Sequence, residues 1–516
     1  MPIVQVPKLG SVGVIYDQPP EELPVSAFSD VRNVRFREGA MEKILGHKQI
    51  YTTPSVTPYW LQSYNQGGKR WWIHAGTANV FADDGNSRVD ITPTPAPTGT
   101  ATDRYTGGVL NGVLLMNNGV DAPWYWGGSG VLLPLTGWQS GYRARSIRPY
   151  KNVAVALGIT KGVGTSPVQY PHMVKWSDLA VPGSVPASWD QNDPTKNAGE
   201  LDLAEEPSEM VDQLTLGDAN IIYKQQSMWS MVPSGDSQVF RFQRLPGDVG
   251  ALARGCIANT PLGHVVLTPG DVILHAGQGP KSIINARLRR WLFSQIDSTN
   301  GDMAFVTTNP ATNEVLVCFP SLGASACDRA CVWNWVEDTW SVRDLPNVTY
   351  GATGQIEYSA TQTWDSDNDA WDDDVTAWDE NEFSRNQSRL LVCTTGPLIA
   401  AMDSAATFNG TPFTGVAERT GWTMDEPDRV KVILGVRLRV TAPAGTQIQV
   451  QVGSAMQSED AVTWSAPAIY THMSGKVEVN VQSKAGRFIG VRFTTVGNQV
   501  PKIVSYGVNY KLLGGY

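Results

Sequence analysis

The feature that most constrains the fold of this chain is a short apolar run, bounded by turn residues, that occurs seven times. In residues 109–130 the sequence is VLNGVLLMNNGVDAPWYWGGSG, with a tight turn at Asn111 and Gly112, an apolar strand at 113–116 and an aromatic strand at Trp124–Trp126. Asn-Gly between two apolar stretches is a strong β-hairpin signal. The residues that immediately precede the seven runs are Arg70, Gly112, Asn152, Asn220, His264, Glu314 and Arg389.

The spacing of these runs indicates how the hairpins are arranged. Successive runs are separated by 42, 40, 68, 44, 50 and 75 residues. The steps of 42, 40, 44 and 50 residues suit one four-stranded propeller blade each, and the two long steps suit a blade with an insertion. We therefore predict an all-β chain that contains a β-propeller of six or seven blades. The alternative is another all-β protein with loosely regular hairpins.

The composition favours many short strands joined by turns over helices. The 516 residues include 50 Gly, 33 Pro and 18 Trp, and only 17% are charged. The opening MPIVQVPKLG has no apolar run, and no stretch of about 18 uncharged apolar residues occurs, so we expect neither a signal peptide nor stable membrane insertion. Five cysteines are few and odd in number, which predicts reduced, buried thiols.

The acidic charge of the chain is concentrated in one tract. The net charge is −9, from 40 basic and 49 acidic residues, and residues 364–382 (WDSDNDAWDDDVTAWDENE) hold nine acidic residues and no basic one. The rest of the chain is therefore balanced at 40 against 40. A protein that grips nucleic acid by neutralising phosphates carries a basic excess on its binding face, so tight DNA binding is disfavoured.

The chain divides into three regions by pattern. The last region contains six stretches of alternating apolar and polar residues over about 100 residues, the size and pattern of a β-sandwich. The predicted regions are a segment at 1–51 that closes or flanks the propeller, a propeller at 52–415 with insertions near 181–207 and 355–387, and a β-sandwich at 416–516.

The acidic tract also carries a tryptophan repeat. Trp364, Trp371 and Trp378 recur every seven residues, and each is followed by an aspartate, at positions Asp365, Asp372 and Asp379. We predict that the indoles pack on a neighbouring subunit or another partner while the carboxylates face water or a basic surface. A solvated loop is one alternative. A calcium loop is another, but Ala370 and Thr376 occupy the positions of its glycine and closing glutamate.

Five arginines are candidate contacts to a neighbouring subunit or to a channel. They are Arg143, Arg145, Arg287, Arg289 and Arg290. The first two lie in RARSIRPYKNVAVALG, where the alternative is that surface arginines frame a strand. The other three lie in a predicted helix at 281–296, where Ile284, Leu288, Trp291 and Leu292 share one face. We expect this helix to mediate packing between subunits.

No combination of residues in the sequence indicates catalysis. The six histidines form no HExxH motif, there is no GxSxG elbow, and GQGPKS at 277–282 lacks the spacing of a P-loop. Cys327 and Cys331 lack the second pair of ligands that a structural zinc site needs. We therefore expect no catalytic residue, no cofactor and no metal.

The whole chain resembles a known family. The likeness is carried by the opening MPIVQVPKLGSVGVIYDQPPEELPVSAFSDVRNVRFREGAMEKILGHKQIY, by IIYKQQSMWSMVPSG, GCIANTPLGHVVLTPGDVILHAG and WNWVEDTWSVRDL, by the Trp-Asp tract, and by TGWTMDEPDRVKVILGVRLRV with RFIGVRFTT. These segments resemble the tail hub or nozzle proteins of short-tailed bacteriophages, also called packaged-DNA stabilisation proteins.

The resemblance implies a structural virion protein, assembled in the host cytoplasm and located in the viral tail. Six copies would form a ring below the portal and its head-tail adaptor, contact tail fibres or other tail proteins, retain packaged double-stranded DNA and let it pass at ejection. We expect a neutral or acidic channel wall, because a basic wall would hold DNA by many phosphate contacts. The alternatives are a host-surface-binding adhesin or lectin-like propeller, and a glycan-degrading tail enzyme.

Overall fold

The computed structural model describes residues 3–162, 166–235, 239–356, 388–475 and 478–515. Seven short strands precede the first predicted blade. They are β1 (Ile3–Val6), β2 (Gly13–Val14), β3 (Ala27–Phe28), β4 (Asp30–Arg32), β5 (Val34–Arg37), β6 (Ala40–Lys43) and β7 (Gly46–Gln49), with a 3₁₀ turn at Pro20–Glu22.

Five four-stranded antiparallel sheets follow in chain order, each formed by consecutive strands. Blade 1 is β8 (Trp60–Gln66), β9 (Lys69–Ala75), β10 (Val80–Asp83) and β11 (Arg88–Asp90); blade 2 is β12 (Thr106–Leu110), β13 (Val113–Asn117), β14 (Trp124–Trp126) and β15 (Leu133–Pro134). Blade 3 is β16 (Arg143–Tyr150), β17 (Val153–Lys161), β18 (Val168–Trp176) and β19 (Gly199–Asp202); blade 4 is β20 (Met210–Leu216), β21 (Ala219–Lys224), β22 (Met228–Pro233) and β23 (Phe240–Arg244). Blade 5 is β24 (Ile257–Thr260), β25 (Gly263–Leu267), β26 (Val272–His275) and β27 (Pro280–Ser282).

Blades 6 and 7 share one long strand. Blade 6 is β28 (Phe305–Asn309), β29 (Glu314–Phe319), β30 (Cys327–Asn334) and the first half of β31 (Thr339–Gln355), after a 3₁₀ turn at Gly301–Met303. Beyond a bulge near Val348, the second half of β31 pairs with β32 (Ser388–Thr394), which pairs with β33 (Leu398–Ala405). The first half of β31 is thus the outer strand of blade 6, and its second half is the inner strand of blade 7.

An N-terminal strand closes the ring. The fourth strand of blade 7 is β7, which pairs antiparallel with β33 through Lys48 and Ala401. The second half of β31 then contacts blade 1. Thr349 Oγ1 donates to the carbonyl oxygen of Pro58, just before β8, and Trp72 Nε1 on β9 donates to the Gln355 carbonyl at 3.0 Å. The described residues therefore form seven blades, and the prediction of an all-β chain with a propeller is confirmed.

The seven apolar runs of the sequence are the second strands of the seven blades. In blade 2, Asn111 (φ 49°) and Gly112 (φ 88°) both adopt the left-handed region, which is the geometry of a two-residue hairpin turn between β12 and β13. Residues 113–117 that follow are all buried. Because a second strand is covered by neighbours on both edges and both faces, it is apolar throughout rather than alternating.

The C-terminal region forms the predicted β-sandwich together with N-terminal strands. Its strands are β34 (Val416–Trp422), β35 (Arg429–Thr441), β36 (Gln447–Ala455), β37 (Thr463–Trp464), β38 (Ala468–Thr471), β39 (Glu478–Gly486), β40 (Phe488–Thr495) and β41 (Lys502–Gly515). One sheet runs β39-β35-β41-β6-β5 with β1 beside β41, and the other runs β37-β36-β40-β34-β4 with β38 beside β36. The N-terminal segment thus completes both sheets of the sandwich as well as blade 7.

The predicted helix at 281–296 is too long. The helix α1 covers only Arg289–Gln295, and Lys281 belongs to β27. Of the four positions predicted to share the apolar face, Ile284, Leu288 and Leu292 are fully buried and Trp291 is half-buried. Ala286 adopts a left-handed φ of 57°, however, and this conformation is incompatible with a continuous helix.

Candidate functional site

Two of the predicted arginines lie on the inner strand of blade 3. Arg143 is exposed at the start of β16, and Arg145 forms an ion pair with Glu209, which precedes blade 4. The carbonyl oxygen of Arg145 accepts a hydrogen bond from Arg254 at 3.1 Å. Arg145 therefore lies beside the centre of the propeller, whereas Arg143 faces solvent.

The other three predicted arginines lie in or next to α1, and two of them, Arg287 and Arg290, hold the N-terminal segment. Arg287 pairs with Asp338 at 2.9 Å, and its carbonyl oxygen accepts a hydrogen bond from the Asp17 amide, also at 2.9 Å. Arg290 donates to the Asp17 carbonyl at 2.8 Å, and Arg289 donates to the Gly270 carbonyl at 2.7 Å. These arginines occupy a region separate from blade 3, so the structure does not bring the two predicted groups into one site.

The predicted tryptophan and aspartate contacts lie outside the described residues. Trp364, Trp371, Trp378, Asp365, Asp372 and Asp379 belong to the insertion between Ile356 and Ser388. The strands that flank this insertion are the inner and second strands of blade 7.

The centre of the propeller is occupied by a buried ion pair. Arg148 on the inner strand of blade 3 donates from Nε and Nη2 to the two carboxylate oxygens of Asp212 on the inner strand of blade 4, both at 2.7 Å. Asp212 is fully buried and also accepts from Ser146 Oγ and the Gly255 amide. Burial alone would raise the pKa of Asp212, but Arg148 and the other donors hold it below its usual value.

Arg104 joins blades that are not neighbours in the ring. It lies just before blade 2 and donates to the carbonyl oxygen of Met303 beside blade 6 and to that of Thr349 in blade 7, the latter at 2.9 Å. Only 4% of Arg104 is exposed, and its buried Nε atom makes no hydrogen bond with the described residues. Because blade 2 is adjacent only to blades 1 and 3, these bonds must cross the propeller axis.

Arg254 crosses the axis from another direction. It lies just before blade 5 and donates to the carbonyl oxygens of Asn118 in blade 2 and Arg145 in blade 3, at 3.3 and 3.1 Å. Burial, with repulsion from Arg145, lowers the pKa of the Arg254 guanidinium from 12.5 to about 10. Within the described part of the chain, neither Arg104 nor Arg254 forms an ion pair with a carboxylate.

These contacts close the propeller axis at their level. We call Arg104, Arg148, Asp212, Arg254 and Tyr350 the axial cluster, since Arg148 also interacts with the Tyr350 hydroxyl on the inner strand of blade 7. Of these five residues the sequence draws attention only to Arg148, which is spaced with Arg143 and Arg145 along RARSIRPYKNVAVALG as a candidate contact to phosphate or to a neighbouring subunit. Arg104 and Arg254 each stand two or three residues before an inner strand, but an isolated arginine in a loop carries no signal of its role.

A second charged region lies where the sandwich meets blades 6 and 7. Arg35 on β5 donates to Asp403 on β33 at 2.5 Å and lies 3.3 Å from Glu314 on β29. Arg343 on β31 contacts the same Asp403 carboxylate at 3.4 Å. Burial raises the pKa of Glu314, while Asp403, despite its burial, has a lowered pKa because two guanidinium groups face it.

The buried thiols do not form a reactive group. All five cysteines are free and buried. Burial raises the pKa of Cys256 and Cys327 to about 12, so the thiols stay protonated at neutral pH and are weak nucleophiles. Among the described residues, no three His, Cys, Asp or Glu side chains are grouped closely enough to hold a metal ion. The described helices include none that is long and apolar enough to span a membrane.

Comparison with known proteins gives no sequence match and distant structural matches. No protein family and no curated protein matches the chain. The extracellular domain of a hybrid two-component system from B. thetaiotaomicron aligns over 69% of this chain and 40% of its own length, with 10% identity and a TM-score of 0.39. The WD40 domain of Neurospora crassa Pan2 aligns over 70% of this chain and 94% of its own length, with 8% identity and a TM-score of 0.38.

Proposed function

We propose that this protein is a structural subunit of a ring-shaped tail hub or nozzle in a short-tailed bacteriophage. In this proposal, a homo-oligomeric ring of six copies extends the channel of the portal and adaptor, retains packaged DNA and lets it pass during infection. The proposal rests on the resemblance over the whole chain, and the observation that carries it is the closed propeller axis.

The axial cluster blocks the axis of each propeller at one level. Hydrogen bonds from Arg104 and Arg254 cross the axis, and the Arg148–Asp212 pair lies beside them. A double helix is wider than its own major groove, which alone measures about 12 Å, and cannot thread an axis that single side chains span. Any DNA passage would therefore lie between several copies, with each propeller serving as part of the wall.

The propeller and the sandwich are joined by a hydrogen-bonded junction, which suits a rigid channel wall. Asn33, between β4 and β5 of the sandwich, donates its amide to the carbonyl oxygen of Val342 in blade 6 at 2.9 Å. The Asn33 side chain also donates from Nδ2 to the Asp344 carboxylate at 2.7 Å and accepts at Oδ1 from the Asp344 amide at 2.8 Å. Two strands after β5 the chain forms β7, which closes blade 7 by pairing with β33. The sandwich and the propeller therefore cannot separate without breaking a sheet.

The oligomeric state of the purified full-length chain tests the proposal. We expect mass photometry to detect a species of six subunits and negative-stain images to show closed rings with a central lumen. A monomer at every concentration up to saturation would contradict the ring. If that monomer bound purified cell-surface polysaccharide, the adhesin alternative would replace the proposal of a tail-hub ring. DNA phosphates paired with Arg143 or Arg289 in a map of the filled channel would contradict a neutral or acidic wall.

A further inference from the structure

An acidic surface lies on the outer edge of blade 3. Asp190 and Asp193 belong to the loop between β18 and β19, Asp202 is the last residue of β19, and Glu205 follows it. Three of these residues are exposed and Asp193 is half-buried. Because β19 is the fourth strand of its blade and pairs with β18 alone, it faces away from the propeller axis. We call these four residues the blade 3 rim.

The blade 3 rim carries an excess of negative charge. Its four carboxylates form no ion pair within the described ranges of the chain, whereas the other charged residues around them are paired. Those pairs are Glu200 with Lys161 and Lys175, Glu206 with Lys224, and Lys196 with Asp178. Together these groups comprise seven acidic and four basic residues, a net charge of −3. The rim is therefore an acidic surface that the chain itself leaves uncompensated.

A basic surface lies on the sandwich. Arg437 and Arg439 on β35 and Lys511 on β41 are all exposed. The register places them on one face of the sheet, because they align with alternate residues of β41, and directly opposite residues of antiparallel strands share a face. The residues of β41 that point the other way are buried in the core, namely Tyr506, Val508 and Tyr510. We call Arg437, Arg439 and Lys511 the sandwich strip.

The charge of the sandwich strip is opposite to that of the rim. Arg437 pairs with Glu478 at 2.9 Å. Arg439 and Lys511 form no ion pair with the carboxylates that the structure describes. Three basic groups against one acidic group give the strip a net charge of +2. The two surfaces are thus complementary in charge.

The rim and the strip lie at opposite ends of the molecule. The sandwich is fixed to blade 7 through Arg35 and Asp403, and to blade 6 through Asn33 and Val342. In a ring of seven blades, blade 3 lies across the axis from the junction of blades 6 and 7. The rim and the strip of one chain therefore cannot meet, whereas those of two chains can.

We propose that the blade 3 rim of one copy docks on the sandwich strip of the next copy, and that this contact repeats around the ring. This inference rests on the ring proposed above and identifies its lateral contact. A contact between two different surfaces is head-to-tail, and it closes into a ring when the rotation between copies fits. Rim-to-rim and strip-to-strip contacts are disfavoured because they bring like charges together.

Each surface also has an exposed leucine beside its charges. Leu201 precedes Asp202 on β19, and Leu513 lies two residues after Lys511 on β41. Apolar side chains inside a charged border are the usual composition of a protein interface. These leucines would add apolar burial to a contact whose partner is selected by charge.

Charge reversal on either surface tests the contact. The rim variant is Asp190→Lys with Asp202→Lys, and the strip variant is Arg439→Glu with Lys511→Glu. We expect each variant alone to lower the assembly constant of the full-length chain about tenfold or more in mass photometry, because every contact then places like charges together. The matched control is Asp218→Lys with Asp248→Lys, at side chains that are 99% and 86% exposed outside both surfaces, and it should assemble as the parent does.

An equimolar mixture of the rim and strip variants gives a sharper result. The reversed rim of one variant is basic and the reversed strip of the other is acidic, so the two variants match at every contact of an alternating ring. A ring of six closes with this alternation because six is even. We expect native mass spectrometry to detect rings that contain three copies of each variant. Such recovery would also demonstrate that both variants fold.

Three results would overturn the inference. Normal rings from either variant alone would show that the rim and the strip are not the contact, while the ring itself would stand. Loss of rings by both variants without recovery in the mixture would show that complementary charge is not what joins the copies. A parent chain that stays monomeric would contradict the ring and this contact together.

Discussion

Arg148 and Asp212 face each other across the interface of blades 3 and 4 and form a bidentate ion pair, with both N–O distances at 2.7 Å. Asp212 is fully buried, and the exposed fraction of the Arg148 side chain is 19%. The carboxylate of Asp212 therefore lies where water cannot replace a lost partner, whereas Arg148 keeps limited access to solvent. Since Asp212 also accepts from the Gly255 amide, one carboxylate connects three successive blades.

We predict that Asp212→Asn lowers the free energy of unfolding by about 3 to 5 kcal/mol, because it leaves Arg148 buried without a counter-ion. Denaturant unfolding of the purified variant measures this loss. The control is Asp218→Asn, whose side chain is 99% exposed and lies 3.5 Å from Lys151, and which should change stability by less than about 0.5 kcal/mol. Equal effects of the two substitutions would argue against a structural role for the axial cluster.

Stability should fall steeply as the solution is acidified below pH 6.5. Burial lowers the pKa of His74 from 6.5 to about 3, and that of His47 and His264 to about 4. Between pH 6.5 and about 4 the unfolded chain binds protons at these histidines and the folded chain does not. Stability is thus complete above 6.5 and declines on acidification, by about 1.4 kcal/mol per pH unit for each histidine.

Unfolding experiments at pH 7, 6 and 5 on two variants test the contribution of one histidine. Both ring nitrogens of His74 are buried without a hydrogen-bond partner in the described residues, and the ring stacks on Phe81. His74→Phe should therefore reduce the change of unfolding free energy with pH by the contribution of one histidine, about 1.4 kcal/mol per pH unit. Ile73→Val, at the neighbouring buried position of β9, removes no titratable group and should keep the slope of the parent. A slope unchanged by His74→Phe would contradict the assignment.

Closure of the propeller depends on the start of β7. A methyl group added at Gly46 would overlap the carbonyl group of Thr407, whereas one added at Gly270 meets nothing within 4 Å. We expect Gly46→Ala to destabilise the protein by about 1 to 3 kcal/mol. It should also increase proteolysis near blade 7. Gly270→Ala should cost less than about 0.5 kcal/mol. If Gly46→Ala unfolded and was digested by protease as the parent is, β7 would be shown to tolerate displacement.

The tryptophan repeat is predicted to act in assembly rather than in folding. Replacing Trp364, Trp371 and Trp378 together by Ala should leave the circular dichroism spectrum and unfolding midpoint of the monomer unchanged while reducing the fraction of assembled rings. Aromatic residues contribute a large share of interface energy, so a loss of tenfold or more in the assembly constant is expected. Replacing Asp365, Asp372 and Asp379 by Asn separates the effect of the negative charge on assembly from that of the indoles. Normal rings from the triple tryptophan variant would exclude this role.

The sequence by itself determined the repeating unit. The apolar run after each turn, such as 113–116 after Asn111-Gly112, marked the second strand of every blade, because a hairpin and a fully covered strand are specified by residues close together in the chain. The same local pattern identified the buried positions Ile284, Leu288 and Leu292. It could not detect the left-handed Ala286 that shortens the helix, since alanine has no preference for that conformation.

Only the tertiary structure decided which distant residues meet. Arg104 reaches Thr349, 245 positions away, and Arg35 reaches Asp403, 368 positions away. These contacts exist because β7 closes the ring and places the N-terminal strands in both modules, and no spacing in the sequence encodes that closure. Strand periodicity is a property of neighbouring residues, whereas the partner of a buried charge depends on the path of the whole chain.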